Sequence, residues 1–188
     1  MNTNTTKELP VAEYNAIFRL RWQEQPPHLP QNAHFEARSS HRTLYAVTVY
    51  AQDEGTLQIK EGSSEKIVAS APRDRDANYT FAPDRRTLLV LTRDVMRLLD
   101  AHTLRALWQL NSKFENEHLY AVPHFPPQGL VGMPDAMGFD FFDARTGNIV
   151  RRLRQPALAQ VSAWNFSPDG SQLWWAAPDG KIFWCALT

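Results

Sequence analysis

Short apolar runs alternate along this chain with polar turns that contain proline, aspartate or glycine. Met96 and Leu98 precede one such turn, and Phe139 and Phe141 precede another, so apolar positions recur every second residue. This period is typical of half-buried strands. Thirteen prolines are scattered over the chain and leave little room for long helices, because proline removes a backbone donor. The pattern predicts an all-β protein.

A phenylalanine followed by a proline–aspartate turn recurs along the chain. Residues 81–88 and 166–173 share the frame Phe-x-Pro-Asp-x-x-x-Leu, and weaker copies begin at Phe35 and Phe125. The four phenylalanines follow one another at intervals of 46, 44 and 41 residues. Intervals of this length are typical of the blades of a β-propeller, each of which is a four-stranded sheet.

The turns within each repeat have the chemistry that a meander of strands needs. Proline presets φ, while aspartate and glycine form local hydrogen bonds or accept unusual dihedral angles. Further hairpin turns are predicted at residues 100–103 and 143–147. We therefore predict a single β-propeller domain over residues 1–188, built from about four blades of four strands. The repeat units are about 34–77, 78–118, 119–160, and 161–188 with 16–23.

The sequences FSPDGSQLWWAAPDGKIFWCAL and FDARTGNIVRRL resemble the blades of WD-repeat-like β-propellers. The resemblance covers the chain from about Phe35 to Leu187 and is strongest in the second and fourth units, although the Trp-Asp dipeptide of that family is absent. It implies that an N-terminal strand completes the last blade. The fourth unit contains three predicted strands, and residues 18–22, which alternate apolar and basic side chains, are predicted to supply the fourth. That strand could complete its own ring or the ring of a second copy.

Composition and charge narrow the classes of partner. Twenty basic and twenty acidic residues give no net charge, which argues against binding to nucleic acid or anionic membranes. Neither a signal peptide nor a membrane span is evident, so we expect a cytoplasmic protein. The lone Cys185 is expected to lie buried in a strand. Trp174 and Trp175 are adjacent in another strand and should face opposite ways.

No catalytic motif is evident in the sequence. The six histidines lack metal-ligand spacing, no Gly-x-Ser-x-Gly elbow occurs, and the few glycines lie singly at turns. Asp84 and Asp169 occupy equivalent places in two repeats, which favours a structural role in turns. We therefore predict no enzyme activity, no cofactor and no metal site.

We predict a non-catalytic scaffold or adaptor whose propeller-face loops bind a protein partner. Association of two copies by ring completion is a further expectation. If they lie on one surface, two basic clusters could receive an acidic protein segment: Arg73, Arg75, Arg85 and Arg86, and Arg145, Arg151, Arg152 and Arg154. Two alternatives remain open: an enzyme or small-ligand binder that uses an axial pocket, and a bacterial immunity-type protein that masks the active site of its partner. The predicted partner-binding residues are Arg73, Asp74, Arg75, Phe114, Glu115, Met133, Asp135 and Met137.

Overall fold

The computed structural model describes residues 29–39, 43–52, 54–82, 84, 86–111, 129–135, 138–154, 163–166, 171–176 and 182–186. These residues contain fourteen strands and no helix. In chain order the strands are β1 (Ala33–Arg38), β2 (Leu44–Ala51), β3 (Glu54–Glu61), β4 (Ile67–Pro72), β5 (Asn78–Phe81), β6 (Thr87–Leu91), β7 (Val95–Asp100), β8 (Ala106–Asn111), β9 (Leu130–Asp135), β10 (Gly138–Asp143), β11 (Ile149–Arg154), β12 (Ala163–Phe166), β13 (Gln172–Ala176) and β14 (Ile182–Ala186).

The strands form four antiparallel sheets. Sheets 1 and 2 have four strands each, in the orders β1-β2-β3-β4 and β5-β6-β7-β8. Sheets 3 and 4 have three strands each among the described residues, in the orders β11-β10-β9 and β12-β13-β14. Every pairing joins strands that follow one another in the chain. The predicted all-β class, built from repeated meander sheets, is confirmed.

The strand register gives the true length of the repeat. Equivalent cross-strand pairs at the same end of each sheet are Leu44 with Glu61, Thr87 with Asp100, Leu130 with Asp143, and Gln172 with Ala186. The first members of these pairs are 43, 43 and 42 residues apart. The repeat is therefore more regular than the intervals between phenylalanines indicated.

The structure corrects the alignment of the first repeat. Ser39 and Ala82 occupy equivalent places, because each donates its backbone N–H across the following turn to the start of the second strand. Phe35 therefore lies three residues too early to match Phe81. The alignment on phenylalanine was wrong in sheet 1, where no proline–aspartate turn marks the end of the first strand.

The proline–aspartate turn works as predicted in sheet 2. Phe81 and Phe166 end β5 and β12. After β5, the Asp84 carboxylate accepts hydrogen bonds from the backbone N–H and the hydroxyl of Thr87, each at 3.1 Å. A carboxylate that satisfies nearby donors in this way stabilises the reversal of the chain. Phe125, the phenylalanine that marks the third repeat in the sequence, lies outside the described residues.

One turn recurs between β3 and β4, between β7 and β8, and between β10 and β11. It begins at Glu61, Asp100 or Asp143. The backbone N–H of this first residue donates to the carbonyl of the residue five positions later in the chain. The predicted turns at Asp100 and Asp143 are confirmed, whereas the turn at Glu61 was not predicted. The residue just before each accepting carbonyl has a positive φ: Glu65 (55°), Leu104 (55°) and Gly147 (73°).

Replacement of Glu65 by glycine should stabilise the protein. A side chain in the left-handed region clashes with its own backbone, and glycine removes this cost while adding some entropy to the unfolded chain. We expect the free energy of unfolding, measured by urea titration, to rise by about 0.5–1 kcal/mol. The reverse change, Gly147→Ala, should destabilise, since its Cβ would lie 2.9 Å from Cδ2 of Trp108. Equal stability of Glu65→Gly and the parent would contradict the prediction.

The chain divides into two compact units. The central unit comprises Gln23–Pro123 with Ala144–Gly147, and the terminal unit comprises Met1–Trp22, His124–Asp143 and Asn148–Thr188. The prediction of one domain over residues 1–188 stays a prediction.

In the central unit, sheets 1 and 2 pack face to face with β1 beside β5. The turn at residues 144–147 belongs to this unit, where the Trp108 indole N–H donates to the Ala144 carbonyl at 2.9 Å. Apolar burial of this kind is the main stabilising term in such a unit. The larger side chains of this core are Leu44, Leu57, Ile59, Tyr79, Phe81, Leu88, Val90 and Leu99.

The terminal unit has its own core between sheets 3 and 4. Its members are Phe139, Phe141, Leu153, Leu173, Trp175 and Cys185. Trp175 is fully buried, whereas Trp174 is half-buried and its indole N–H donates to Oε1 of Gln172 at 2.7 Å. The predicted opposite orientation of Trp174 and Trp175 is thus confirmed, as is the burial of Cys185.

Residues 18–22, predicted to supply the fourth strand of sheet 4, lie outside the described residues, so this closure stays a prediction. In the part of the chain that the structure describes, no helix has the length and apolarity needed to cross a membrane.

Candidate interaction surface

One end of the central unit combines ion pairs with exposed charged residues. The connection from β4 to β5 (residues 73–77) and the turn from β6 to β7 (residues 92–94) both lie at the end of sheet 2 where β5 begins. We call these residues the connection-end surface. Arg73 joins it to sheet 1, because its backbone N–H donates to the Gly55 carbonyl at 2.8 Å.

Glu36 is the anchor beneath this surface. It occupies a bulge in β1 between Phe35 and Ala37, where the pairing with β2 shifts register. Bulges commonly re-aim a side chain, and Oε1 of Glu36 accepts from the Thr48 hydroxyl at 2.5 Å and from Nε of Arg73 at 3.0 Å. The side chains of Glu36 and Arg73 are only 7% and 19% exposed. The ion pair is therefore largely removed from water. Its attraction is stronger than that of an ion pair at the surface, because the surroundings screen the charges less.

Asp74 extends the same network into sheet 2. Its carboxylate pairs with the guanidinium of Arg97 on β7, and its carbonyl accepts from Nη1 of Arg73 at 3.1 Å. Tyr79 on β5 and Arg97 on β7 each pair with Val90 on β6, the strand between them. The side chains of Tyr79, Val90 and Arg97 therefore lie on one face of sheet 2. The connection is thus held to both sheets by charged hydrogen bonds.

Burial and charge shift two pKa values in this network. Burial lowers the pKa of Arg73, but the hydrogen bond and negative charge of Glu36 outweigh it and the pKa ends above its ordinary value. Burial, followed by the charge of Asp74, raises the pKa of the Tyr79 phenol. Arg73 therefore stays charged and Tyr79 stays protonated throughout the physiological range. Arg73 therefore contributes a constant positive charge to the network, and Tyr79 contributes a neutral hydroxyl.

The residues beyond the network face solvent. Arg75 and Asp76 are exposed on the connection, and Arg93 and Asp94 are exposed on the neighbouring turn. Asp76 has a φ of 53°, which turns the chain sharply just after Arg75. The surface therefore presents charged side chains from a backbone that is tied down on both sides.

The structure separates the predicted partner-binding residues into groups. Arg73, Asp74 and Arg75 come together on the connection-end surface, where Arg75 is exposed and the side chains of Asp74 and Arg73 are 37% and 19% exposed. Met133 on β9 is 2% exposed, so its side chain is buried and does not form surface. Asp135 ends β9. The remaining predicted residues, Phe114, Glu115 and Met137, lie outside the described residues.

Sequence reasoning missed Glu36, Thr48, Tyr79 and Arg97. The sequence held one signal for Glu36. It is a glutamate in the first strand of a repeat, at the position that Tyr79 occupies in the next repeat. Arg97 was likewise a charged residue inside an apolar alternation. Neither signal names the partner, because each ion pair joins a strand residue to a residue of the connection that lies 37 or 23 positions away in the sequence.

The described residues contain no group of three or more histidine, cysteine, aspartate or glutamate side chains that could hold a metal ion. Of the six histidines, His34 and His102 lie in the described part of the chain, and both are exposed.

Cys185 should resist alkylation in the folded protein. Burial raises the pKa of its thiol, and the charge of Arg151 offsets this only in part. Both the protonated form and the poor access slow the reaction, since the thiolate is the nucleophile. At about pH 8, iodoacetamide should modify Cys185 at least about tenfold more slowly than free cysteine, and urea should remove the difference. Labelling followed by mass spectrometry measures this, and equal rates in the folded protein would show that the thiol is accessible.

Comparison with known proteins defines the class of fold. No protein-family model and no curated protein matches the sequence. Among solved structures, BamB from Moraxella catarrhalis is 12% identical with a TM-score of 0.56, over 75% of this chain and 45% of BamB. The Dos1 propeller is 15% identical with a TM-score of 0.60, over 81% of this chain and 41% of its own. A eukaryotic initiation factor is 12% identical with a TM-score of 0.58, over 82% of this chain and 39% of its own.

These similarities, together with the four repeated meander sheets, define an all-β protein of the β-propeller class. The chain spans less than half the length of each of these three solved structures. At 12–15% identity the likeness concerns the fold alone.

Proposed function

We propose that this protein is a non-catalytic, WD-repeat-like interaction module that binds a protein partner through the connection-end surface. The observation that carries the proposal is the anchored connection from β4 to β5. Arg73 and Asp74 are held by Glu36 and Arg97, and this leaves Arg75 exposed on a fixed backbone.

A surface of this kind suits protein recognition. Ordering a loop before binding reduces the entropy lost on association, so rigid exposed side chains gain affinity. Arginine is also enriched at the energetic centres of interfaces, because its planar guanidinium makes several directed hydrogen bonds. The constant protonation of Arg73 and Tyr79 below the surface favours a structural role for these two side chains over acid–base chemistry.

The test is a comparison of two charge reversals. Arg75→Glu changes the connection-end surface, and Arg105→Glu changes an exposed arginine in the turn between β7 and β8, at the opposite end of sheet 2. Tagged parent and variant proteins are incubated with a lysate of the organism in which the protein naturally occurs. The proteins that they retain are quantified by mass spectrometry. The proposal requires a protein that the parent and Arg105→Glu retain and Arg75→Glu loses.

Thermal melting of each variant shows whether the fold is intact, so that a lost partner is not mistaken for unfolding. Equal retention by the parent and Arg75→Glu would move the interaction away from this surface. If no protein is retained while a defined small molecule raises the melting temperature, ligand binding replaces protein binding as the function.

We further propose that residues 18–22 complete sheet 4 and that two copies associate by exchanging this strand. Sheet 4 contains three strands among the described residues, against four in each of sheets 1 and 2, and this leaves a place for one more strand. Light scattering at high concentration should give twice the 21.5 kDa of one chain. A mass of one chain would limit the strand to closure within a single copy.

A further inference from the structure

Tyr50 lies beside the connection-end surface, on sheet 1. Pro72 ends β4 and pairs with Thr56 near the start of β3, so the connection leaves sheet 1 at the end where β2 turns into β3. At that end Tyr50 is the last residue but one of β2, and it pairs with Gly55. Arg73, the first residue of the connection, donates its backbone N–H to the same Gly55. One glycine therefore separates Tyr50 from the connection across the sheet.

The Tyr50 side chain lies on the face of sheet 1 that carries the Glu36 network. Thr48 and Tyr50 are two residues apart on β2, so their side chains share a face, and the Thr48 hydroxyl donates to Glu36. An added Cβ at Gly55 would lie 3.1 Å from Cδ of Arg73. The Arg73 side chain therefore crosses the sheet at Gly55, on the strand next to Tyr50, before it reaches Glu36.

The backbone of Tyr50 is fixed while its side chain stays accessible. Its N–H donates to the Asn32 carbonyl at 2.9 Å, and Nδ2 of Asn32 donates to the Tyr50 carbonyl at 2.8 Å. Tyr50 is 37% exposed, whereas Tyr45 and Tyr79 are 3% and 6% exposed. Within the described part of the chain the Tyr50 hydroxyl has no hydrogen-bond partner. A tyrosine held in this way offers a large ring and a hydroxyl at a low entropic cost, and such residues are frequent at the energetic centres of interfaces.

The exposed charges of the connection-end surface are of both signs. The connection presents Arg75 and Asp76, and the turn from β6 to β7 presents Arg93 and Asp94. Among the described residues none of these four side chains forms an ion pair. Glu54 adds one exposed acid at the start of β3. A partner with charges of a single sign would meet like charges on such a surface, so the surface selects a partner whose charges are also mixed.

We propose that Tyr50 is the central contact residue of the connection-end interface, and that the partner is a protein segment of mixed charge that packs an apolar side chain against the Tyr50 ring. This inference rests on the proposed function and extends its interface from the connection onto sheet 1. Binding removes the ring from water, while the hydroxyl forms a hydrogen bond with the partner. The charged residues form the rim of the interface, where they exclude partners of a single sign of charge.

The test adds three variants to the comparison of Arg75→Glu with Arg105→Glu in the same lysate. Tyr50→Ala removes the ring, Tyr50→Phe removes only the hydroxyl, and Leu107→Ala is the matched control, because Leu107 on β8 is an exposed apolar residue at 54%. Tyr50→Ala should retain the protein that Arg75→Glu loses at least about tenfold less well than the parent does. Leu107→Ala should retain it in full, and Tyr50→Phe should retain more of it than Tyr50→Ala.

Two further measurements examine the contact itself. Retention should be similar at low and high ionic strength, because charges of both signs leave little net attraction for salt to screen. Nitration by tetranitromethane modifies accessible tyrosine rings, so Tyr50 should be nitrated in the free parent protein and protected in the captured complex. Tyr45 and Tyr79 are buried and should stay unmodified in both. Mass spectrometry of the peptides measures each tyrosine separately.

The outcomes separate this inference from the proposed function. If Arg75→Glu loses the protein while Tyr50→Ala keeps it, or if Leu107→Ala loses it as well, the role of Tyr50 is wrong and the proposed function stands. Equal retention by the parent and Arg75→Glu, or no retained protein, overturns both. Equal nitration of Tyr50 in the free protein and the complex, or a retention that collapses at high salt, also overturns the inference. Thermal melting shows whether Tyr50→Ala is folded, and the nitration result decides if it is not.

Discussion

Gly138→Ala is expected to lower the free energy of unfolding by about 3 kcal/mol or more. Gly138 begins β10 with a φ of 152°, a conformation that side chains rarely adopt. An added Cβ would overlap the backbone carbonyl oxygen of Leu153 on β11. A carbonyl cannot rotate away as a flexible side chain can, so the pairing of β10 with β11 must shift to relieve the overlap.

Gly129→Ala is the matched control for this prediction. Gly129 also has a positive φ, 71°, but an added Cβ would meet no atom within 4 Å. Gly129→Ala should lower the free energy of unfolding only by the cost of placing a side chain in the left-handed backbone conformation, about 1 kcal/mol. Urea titration followed by tryptophan fluorescence compares the two variants with the parent. If Gly138→Ala were no less stable than Gly129→Ala, the close approach of β10 and β11 at this position would be wrong.

Arg73→Met should be the second strongly destabilising change, at about 3 kcal/mol. It leaves the Glu36 carboxylate, which is 7% exposed, with the Thr48 hydroxyl but without its counter-charge. A buried charge that loses its partner costs more than the pair contributed, because the remaining ion is still removed from water. The connection at residues 73–77 should loosen at the same time.

A double-mutant cycle separates this effect from the loss of an arginine as such. Glu36→Gln removes the charge and keeps an accepting oxygen, so Arg73→Met should cost at least about 1 kcal/mol less in its presence than in the parent. Arg105→Met, at an exposed arginine, should change stability by no more than about 0.5 kcal/mol. Additive effects of Glu36→Gln and Arg73→Met would show that the pair is not coupled, and would weaken the case for an anchored surface.

Local chemistry made much of the fold predictable. The proline–aspartate turn before Thr87 and the turns that begin at Asp100 and Asp143 form from neighbouring residues, so their sequence is sufficient to predict them. The turn at Glu61 has the same backbone hydrogen bond across the turn but lacks the aspartate and threonine that mark the other two. It was missed because the backbone geometry, and not one fixed side chain, defines the turn.

The candidate surface was less predictable, because the residues that hold it in place are far apart in the sequence. Nothing local to Arg73 shows that its guanidinium binds Glu36, which is 37 residues earlier in the chain. The bulge that aims Glu36 at Arg73 depends on the pairing of β1 with β2, which no single stretch of the sequence shows. Arg75 could be predicted as a loop residue, whereas the network that holds it in place could not.

The meander order of the sheets has a consequence for how the protein is made. Each described strand pairs only with its predecessor or successor in the chain, so the pairings have low contact order and close short loops. A nascent chain can therefore form sheet 1 as soon as β4 has left the ribosome, and sheet 2 after β8, while later residues are still being added. Since the central unit is formed mainly by Gln23–Pro123, its core can bury its apolar side chains before the terminal unit has been synthesised. This order of events shortens the time for which exposed strand edges are open to aggregation.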